Sequence, residues 1–142
     1  MPSFSIEIPN LQVDGPVVEL RVAIGSAVEN ALRAANTPIP PPVAVPAMID
    51  TGATKSILRQ GIAAQLGLNP VGATYISTPS STNVLCPEYL VRLVFPTNVL
   101  YEGTVIEAPL QGQHIQCLIG RDILSHAVFV YIGYRNLFSL SF

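Results

Sequence analysis

The chain has 142 residues and a formal net charge of −2, a size that suits one domain with its own hydrophobic core. Charged residues make up 11% of it, against about 25% in an average soluble domain, so much apolar surface must be hidden in the fold or between subunits. The scattered Lys and Arg residues form no basic stripe, which argues against nucleic-acid binding. No apolar run approaches the roughly 20 residues of a membrane helix, and no signal-peptide pattern opens the chain, so we expect a cytoplasmic protein.

The N-terminal part predicts two strands and a short helix. Residues Phe4–Ile8 and Val18–Ile24 alternate between apolar and polar side chains, which is typical of half-buried strands. Ser26–Glu29 has the form of a capping box, in which a serine and a glutamate each satisfy a free amide at a helix start. The helix should run for about two turns, until Asn36 and Pro38 end it.

Five prolines lie between residues 37 and 46 and predict a stiff, extended segment. We interpret residues 26–42 as a helical, Pro-rich insertion in a single domain that covers residues 1–142. The favoured interpretation is a surface elaboration without function, and a docking role for the prolines is the alternative.

The apolar run Val43–Ile49 predicts a buried strand that leads straight into Asp50, Thr51, Gly52 and Ala53. Burying an ionised Asp in apolar surroundings costs free energy unless the carboxylate is paired or neutralised. An Asp directly after an apolar strand is therefore a candidate for a chemical role. An isolated Asp-Thr-Gly is most often an ordinary turn, and the motif needs support from elsewhere in the chain.

The middle of the chain predicts a short strand at Ser56–Leu58, a short helix at Gln60–Leu66 and then a hairpin. The hairpin spans Ala73–Leu85, its small polar residues around Pro79 mark the tip, and the strand Tyr89–Phe95 follows.

The C-terminal part supplies the remaining strands and a second motif. Strands are predicted at Val99–Ala108 and Ile115–Ile119, joined by a turn at residues 111–113, and a terminal hairpin is predicted within residues 127–140. Cys117–Leu124 again carries an apolar strand to a glycine, here Gly120, before a helical turn.

The two motifs and the spacing between them resemble the retropepsin-like (retroviral-type) aspartic proteases, in particular their bacterial single-lobed branch, over about residues 17–142. The resemblance implies an all-β fold: a single-lobed closed β-barrel or sandwich with one or two short helices, working as a two-fold dimer. It also implies an aspartic endopeptidase that hydrolyses peptide bonds and uses no cofactor.

The resemblance assigns roles residue by residue. Asp50 matches the catalytic aspartate, whereas Thr51, Gly52, Ala53, Gly120 and Arg121 match the residues that support the active-site loop. In retroviral members the matching arginine pairs with an acidic residue, but here that position is Thr54, so the ion pair is lost.

The hairpin matches the flap over the substrate, and the expected flap and substrate-binding residues are Thr54, Ser77, Thr78, Pro79 and Ser80. The alternative for this segment, which lacks a glycine at its tip, is a plain surface hairpin.

One chain offers one Asp-Thr-Gly, whereas the chemistry needs two carboxyl groups that share a proton. We therefore expect a homodimer that acts on a peptide or protein substrate. The competing hypothesis is an inactive peptide-binding or dimerisation module, against which the intact motif argues. A serine hydrolase is a further alternative, but the chain lacks the Gly-x-Ser-x-Gly motif of such enzymes.

His114, Cys117 and His126 match no known zinc-ligand spacing, so we predict no metal site. We expect Cys86 and Cys117 to be small buried residues.

Overall fold

The computed structural model describes residues 1–78, 81–110 and 114–142. Its strands are β1 (Ser3–Glu7), β2 (Val17–Ile24), β3 (Val43–Ile49), β4 (Ile57–Arg59), β5 (Gly72–Thr78), β6 (Ser81–Phe95), β7 (Val99–Ala108), β8 (Cys117–Ile119), β9 (Val128–Ile132) and β10 (Leu137–Ser141). Its α-helices are α1 (Leu11–Asp14), α2 (Ser26–Ala34), α3 (Ile62–Gln65) and α4 (Arg121–Leu124). The architecture is mostly β, as predicted. Within the described ranges, no helix has both the length and the apolar character that crossing a membrane requires.

Six strands close into a barrel in the order β2-β3-β8-β4-β7-β6, and β6 pairs back with β2. Strand β5 extends this sheet as the outer partner of β6. Most pairs are antiparallel, but β4 runs parallel to β7, and β3 runs parallel to β8 with Ile49 opposite Ile119. This register matters for function because the residues that follow, Asp50 and Gly120, leave the sheet side by side.

A second sheet is formed by the two ends of the chain, in the order β1-β10-β9. It contains the predicted terminal hairpin, whose turn is closed by Asn136 in the left-handed conformation. Phe138 and Leu140 of β10 are fully buried and join the core of the barrel. The two sheets therefore share one core.

The predicted hairpin over residues 73–85 is present as β5 and β6, but its second strand is longer than expected. The strand predicted at Tyr89–Phe95 is confirmed, but it is not separate from the hairpin, because β6 runs unbroken for 15 residues from the hairpin into the barrel. The pairing is irregular between Ile76 and Thr78, and Asn83 has φ 54°. Pro79, Ser80 and the turn predicted at residues 111–113 lie outside the described residues.

Helix α2 begins as predicted at Ser26, but the capping box is wrong. The residue before the helix is Gly25, and no side chain of the helix caps its amides. The Glu102 carboxylate on β7 accepts instead from the Ser26 amide at 2.8 Å and from the Ser26 hydroxyl at 3.0 Å. Glu29 is free to pair with Arg33 at 2.8 Å and with Arg92 at 3.0 Å. The cap comes from a distant strand, which the local pattern cannot indicate.

Candidate active site

Asp50 follows β3 at the point where that strand lies beside β8. Its amide donates to the carbonyl of Ile119 at 2.9 Å, which extends the parallel pairing by one step. The strand before it buries Val45, Ala47 and Ile49 on one face. Asp50 itself is half-buried. Its side chain is therefore more exposed to solvent in the single chain than the apolar run before it predicts.

The carboxylate of Asp50 is oriented by its own turn. The Gly52 amide donates to Asp50 Oδ1 at 2.9 Å, and the Ala53 amide donates to the Asp50 carbonyl at 3.2 Å. Asp commonly stabilises a turn in this way, by accepting from the amide two residues ahead. A Cβ atom at Gly52 would lie 3.1 Å from Asp50 Oδ1, so a side chain there would crowd the carboxylate.

Gly120 packs against the backbone of the loop that follows Asp50. A Cβ atom there would lie 2.7 Å from both the carbonyl carbon and the oxygen of Lys55, and 3.0 Å from the oxygen of Ala53. These are backbone atoms, which cannot move aside as a flexible side chain would. Two amides fix the close approach, since Arg121 donates to the Ala53 carbonyl at 2.8 Å and Asp122 to that of Thr54 at 3.2 Å.

Arg121 holds the same loop from its side chain. Its guanidinium donates to the Thr51 carbonyl at 2.7 Å and to the Thr54 hydroxyl at 3.1 Å. Because a guanidinium offers several donors in a fixed plane, it can bind neutral oxygens in place of a carboxylate. In this chain the partners of Arg121 are therefore the Thr51 carbonyl and the Thr54 hydroxyl in place of a carboxylate. Thr54 thus helps to fix the loop.

Ser56 and Asp122 belong to this site, although no sequence pattern singled out Ser56. Ser56 is fully buried, its hydroxyl donates to Asp122 Oδ1 at 2.7 Å, and it accepts from the Gly120 amide at 2.8 Å. Asp122 Oδ2 accepts from the Ser56 amide at 3.0 Å. Asp122 lies in the first turn of α4, where an acidic residue is common for ordinary reasons. Its Oδ1 does accept from the Ile123 amide at 2.9 Å, but its carboxylate also ties the two motifs together.

An apolar cluster separate from the main core lies between the hairpin and the barrel. Its buried members are Cys86, Ile106 and Ala108, with Ile57 and Ile76 packed against them. Ile57 is on β4, which is separated from β3 by β8 alone. Neighbouring strands lie about 4.8 Å apart, so the cluster is roughly 10 Å from the Asp50 strand. Ser77 is exposed beside it on β5.

The two cysteines are buried, as predicted, whereas the two histidines lie at the surface. Cys86 and Cys117 are buried and unbonded to each other. Burial, with a smaller effect of the Asp122 carboxylate, raises the pKa of the Cys117 thiol to about 12. His114 and His126 are exposed. In the ranges that the structure describes, no cluster of His, Cys, Asp or Glu is placed to hold a metal ion.

The comparisons with known proteins agree with this geometry. A family model described as aspartyl protease matches residues 42–123, which include the Asp50 turn and the Gly120 motif. The chain belongs to the aspartyl protease family. No curated protein sequence matches it significantly.

Two solved structures show that the family's retropepsin-like fold is present here. A retropepsin-like aspartic protease from Rickettsia conorii superposes with a TM-score of 0.51 at 16% identity, covering 100% of this chain and 95% of its own. The EIAV protease, solved in complex with the inhibitor HBY-793, gives a TM-score of 0.51 at 18% identity, covering 78% of this chain and 86% of its own. At these identities the likeness concerns the fold, and it confirms the predicted retropepsin-like barrel.

Proposed function

We propose that this aspartyl protease family member is an aspartic endopeptidase that acts as a homodimer, with Asp50 from each subunit forming one catalytic pair. The observation that carries the proposal is the Asp50 turn. Its carboxylate is oriented by the Gly52 amide, whereas the loop around it is fixed by Arg121 and Gly120. The described ion pairs include none to Asp50, so the carboxylate remains available for chemistry.

A second copy is needed because the chain has no other suitable aspartate. It contains three in all. Asp14 is exposed at the end of α1, and both oxygens of Asp122 accept hydrogen bonds from Ser56. Two carboxyl groups in like surroundings therefore require two subunits on a two-fold axis.

Strand β9 offers a surface for that contact. It is an outer strand of the terminal sheet, and its five residues, Val128–Ile132, carry no charge. Val128 is 52% exposed and Val130 is 43% exposed. Unpaired, uncharged edge strands promote association, and proteins usually protect them with charges, prolines or a partner. Because β9 follows α4 closely in the chain, pairing there would bring the second subunit near the active-site loop.

The chemistry follows from two carboxyl groups that share one proton. The ionised carboxylate takes a proton from water as the water oxygen attacks the scissile carbonyl carbon, while the protonated carboxyl donates to the carbonyl oxygen. The resulting tetrahedral intermediate collapses when the carboxyl that took the proton from water donates it to the amide nitrogen and the C–N bond breaks. A hydroxyl of the intermediate returns its proton to the other carboxylate as the C=O bond forms again, which leaves a carboxylic acid and an amine. The carboxyl groups regain their starting protonation, so water is the sole reagent consumed.

The test is cleavage of a fluorogenic peptide library by the purified protein and by Asp50→Asn. Asparagine keeps the size of the side chain but cannot accept the proton of water, so turnover should fall by several orders of magnitude while the fold survives. Asp14→Asn removes a remote, exposed carboxylate and serves as the matched control, with turnover near that of the wild type.

Mixed dimers sharpen the test of the shared site. Wild-type and Asp50→Asn chains with different affinity tags can be co-expressed, and the heterodimer isolated by sequential capture. A shared pair predicts an inactive heterodimer, because one of its two carboxyl groups is missing. Half of the wild-type activity in that heterodimer, or full activity in a strictly monomeric sample, would contradict the proposal.

A further inference from the structure

Residues 37–42, here called the proline segment, join α2 to β3 and form neither helix nor strand. The sequence of the segment is Thr-Pro-Ile-Pro-Pro-Pro, so each residue either is a proline or stands directly before one. Proline fixes φ at about −65°, and a residue before proline is restricted to extended conformations. The described peptide bonds are all trans. These restrictions favour a polyproline II helix for the segment.

The proline segment is anchored at both of its ends. Asn36 takes the left-handed conformation at the end of α2, with φ 53°, and the Thr37 amide donates to the Leu32 carbonyl at 2.9 Å. Ile39 packs against the main core, and the chain enters β3 at Val43. A segment that is already held in one conformation loses little conformational entropy when a partner binds it.

One ridge of the proline segment is fully presented to solvent. A polyproline II helix has three residues per turn, so side chains three positions apart share a ridge. Pro38 and Pro41 form such a pair, and both are exposed. Each of the other two ridges contains a half-buried residue, Ile39 or Pro40. The segment thus rests on the barrel with one side and displays a Pro-x-x-Pro ridge on the other.

The polar groups of the segment are also available to a partner. Among the residues that the structure describes, no hydrogen bond ends on a carbonyl of residues 38–42. Residues 34–49 carry no charged side chain. The chemistry that fits this surface is therefore apolar walls for the prolines and neutral donors, such as Trp or Tyr side chains, for the carbonyl oxygens.

We propose that the proline segment docks into the groove of a partner protein, in which aromatic side chains form two slots about 9 Å apart, the length of one turn of this helix. SH3 domains recognise Pro-x-x-Pro segments with grooves of this kind. The geometry favours the docking role over a surface elaboration without function.

A partner bound at the proline segment would leave the Asp50 loop open. The segment precedes β3, whereas Asp50 follows it, and the strand has seven residues. At about 3.3 Å per residue, the two lie roughly 20 Å apart. Docking would therefore hold the protein beside its partner with the candidate active site uncovered, and it does not depend on peptide hydrolysis.

The test uses a panel of purified, isotope-labelled SH3 domains, each titrated with the whole protein and followed by NMR. At least one domain should show chemical-shift changes confined to its aromatic groove, and a free Pro-x-x-Pro peptide should reverse them. The titration extends to about 1 mM protein, which detects weak binding. The inference is overturned by the absence of shift changes in every domain, or by changes outside the groove.

Variants of the proline segment test the ridge itself. The double variant Pro38→Ala/Pro41→Ala removes both ridge prolines and should weaken binding by about tenfold or more, as expected for residues at the centre of an interface. Pro42→Ala is the matched control, because it removes an exposed proline of the same segment from another ridge. It should change the affinity by less than about twofold. Equal losses in the two variants, with thermal unfolding unchanged in both, would contradict the ridge.

Two further measurements separate this docking from other contacts. Because the segment is uncharged, the affinity should change little between low and high salt, and a strong salt dependence would show that charged groups elsewhere bind the domain. Sedimentation velocity of the protein alone tests whether a second copy occupies the ridge, since a dimer that dissociates in Pro38→Ala/Pro41→Ala would overturn the inference. Asp50→Asn should bind the SH3 domain as the wild type does, whether or not the wild type cleaves peptides.

Discussion

Asp122 holds Ser56 at two points, because one carboxylate oxygen accepts from the serine amide at 3.0 Å and the other from the serine hydroxyl at 2.7 Å. The same hydroxyl accepts from the Gly120 amide at 2.8 Å. The contact joins the chain after the Asp50 turn to the helix after the second motif. The two motifs are therefore coupled through one buried serine, as well as through backbone contacts.

Replacing this serine should loosen the active-site loop. In Ser56→Ala the buried Gly120 amide loses its partner, and Asp122 Oδ1 keeps only its hydrogen bond from the Ile123 amide. Leaving a buried group such as this amide unpaired costs about 1 to 3 kcal/mol of unfolding free energy. Urea denaturation measures the loss, and turnover should fall as well. Ser5→Ala is the control, since Ser5 is exposed and shares its hydrogen bond with Ser139 at the surface. Equal effects of the two substitutions would contradict a special role for Ser56.

Gly120→Ala should disrupt the loop more directly. The added methyl group would meet backbone atoms of Lys55 and Ala53 at 2.7 to 3.0 Å. Overpacking of this kind typically costs about 1 to 3 kcal/mol, and here it also displaces the loop that carries Asp50. The midpoint temperature of thermal unfolding and the rate of peptide turnover should both fall. In Gly72→Ala the nearest atom is a Glu88 oxygen at 3.7 Å, an ordinary contact, so a similar loss there would point to a general intolerance of alanine.

Much of this fold could be predicted from the sequence because its signals are local. Alternation along β2 and the apolar run of β3 report burial directly, and the Gly120 contact follows from a recognisable motif. The partner of Arg121 could not be predicted. Thr54 stands where retroviral members have the acidic partner, so several oxygens of the loop were candidates. Ser56 was missed for a related reason: a serine gives no pattern of its own, and its importance arises from residues 64 and 66 positions away.

The insertion shows the same limit. The Ser26–Glu29 pattern satisfied a local rule for helix capping, but two distant residues changed its outcome. Glu102 binds the helix start, and Arg92 draws Glu29 into an ion pair. Long charged side chains can pair with residues that are distant in the sequence, whereas the capping-box pattern describes only residues within one helical turn.

Glu29→Gln should lower stability in a pH-dependent manner. Hydrogen bonds from Arg33 and then from Arg92 hold the pKa of the Glu29 carboxyl below its usual value of 4.5. The folded state therefore favours the ionised form, so the stabilisation is fully present above that usual value and is lost as pH falls through the folded pKa. The difference in unfolding free energy between wild type and Glu29→Gln should shrink between pH 6 and pH 3. Glu19→Gln, at an exposed residue outside the described ion pairs, should show no such trend.

The last prediction concerns the pH dependence of the proposed Asp50 pair. Catalysis needs one proton shared between two carboxyl groups, so activity should follow a bell centred below neutrality, with the alkaline limb marking loss of that proton. Loss of the proton also places two like charges side by side across the subunit contact, which should weaken the dimer as pH rises. Asp50→Asn has no such charges, so its dimer should dissociate less than the wild type near neutral pH. Turnover from pH 3 to 8, together with sedimentation velocity of both proteins at the same pH values, measures both effects. A wild-type rate that keeps climbing beyond neutrality, with a dimer that is equally strong in both proteins, would rule out the aspartyl pair.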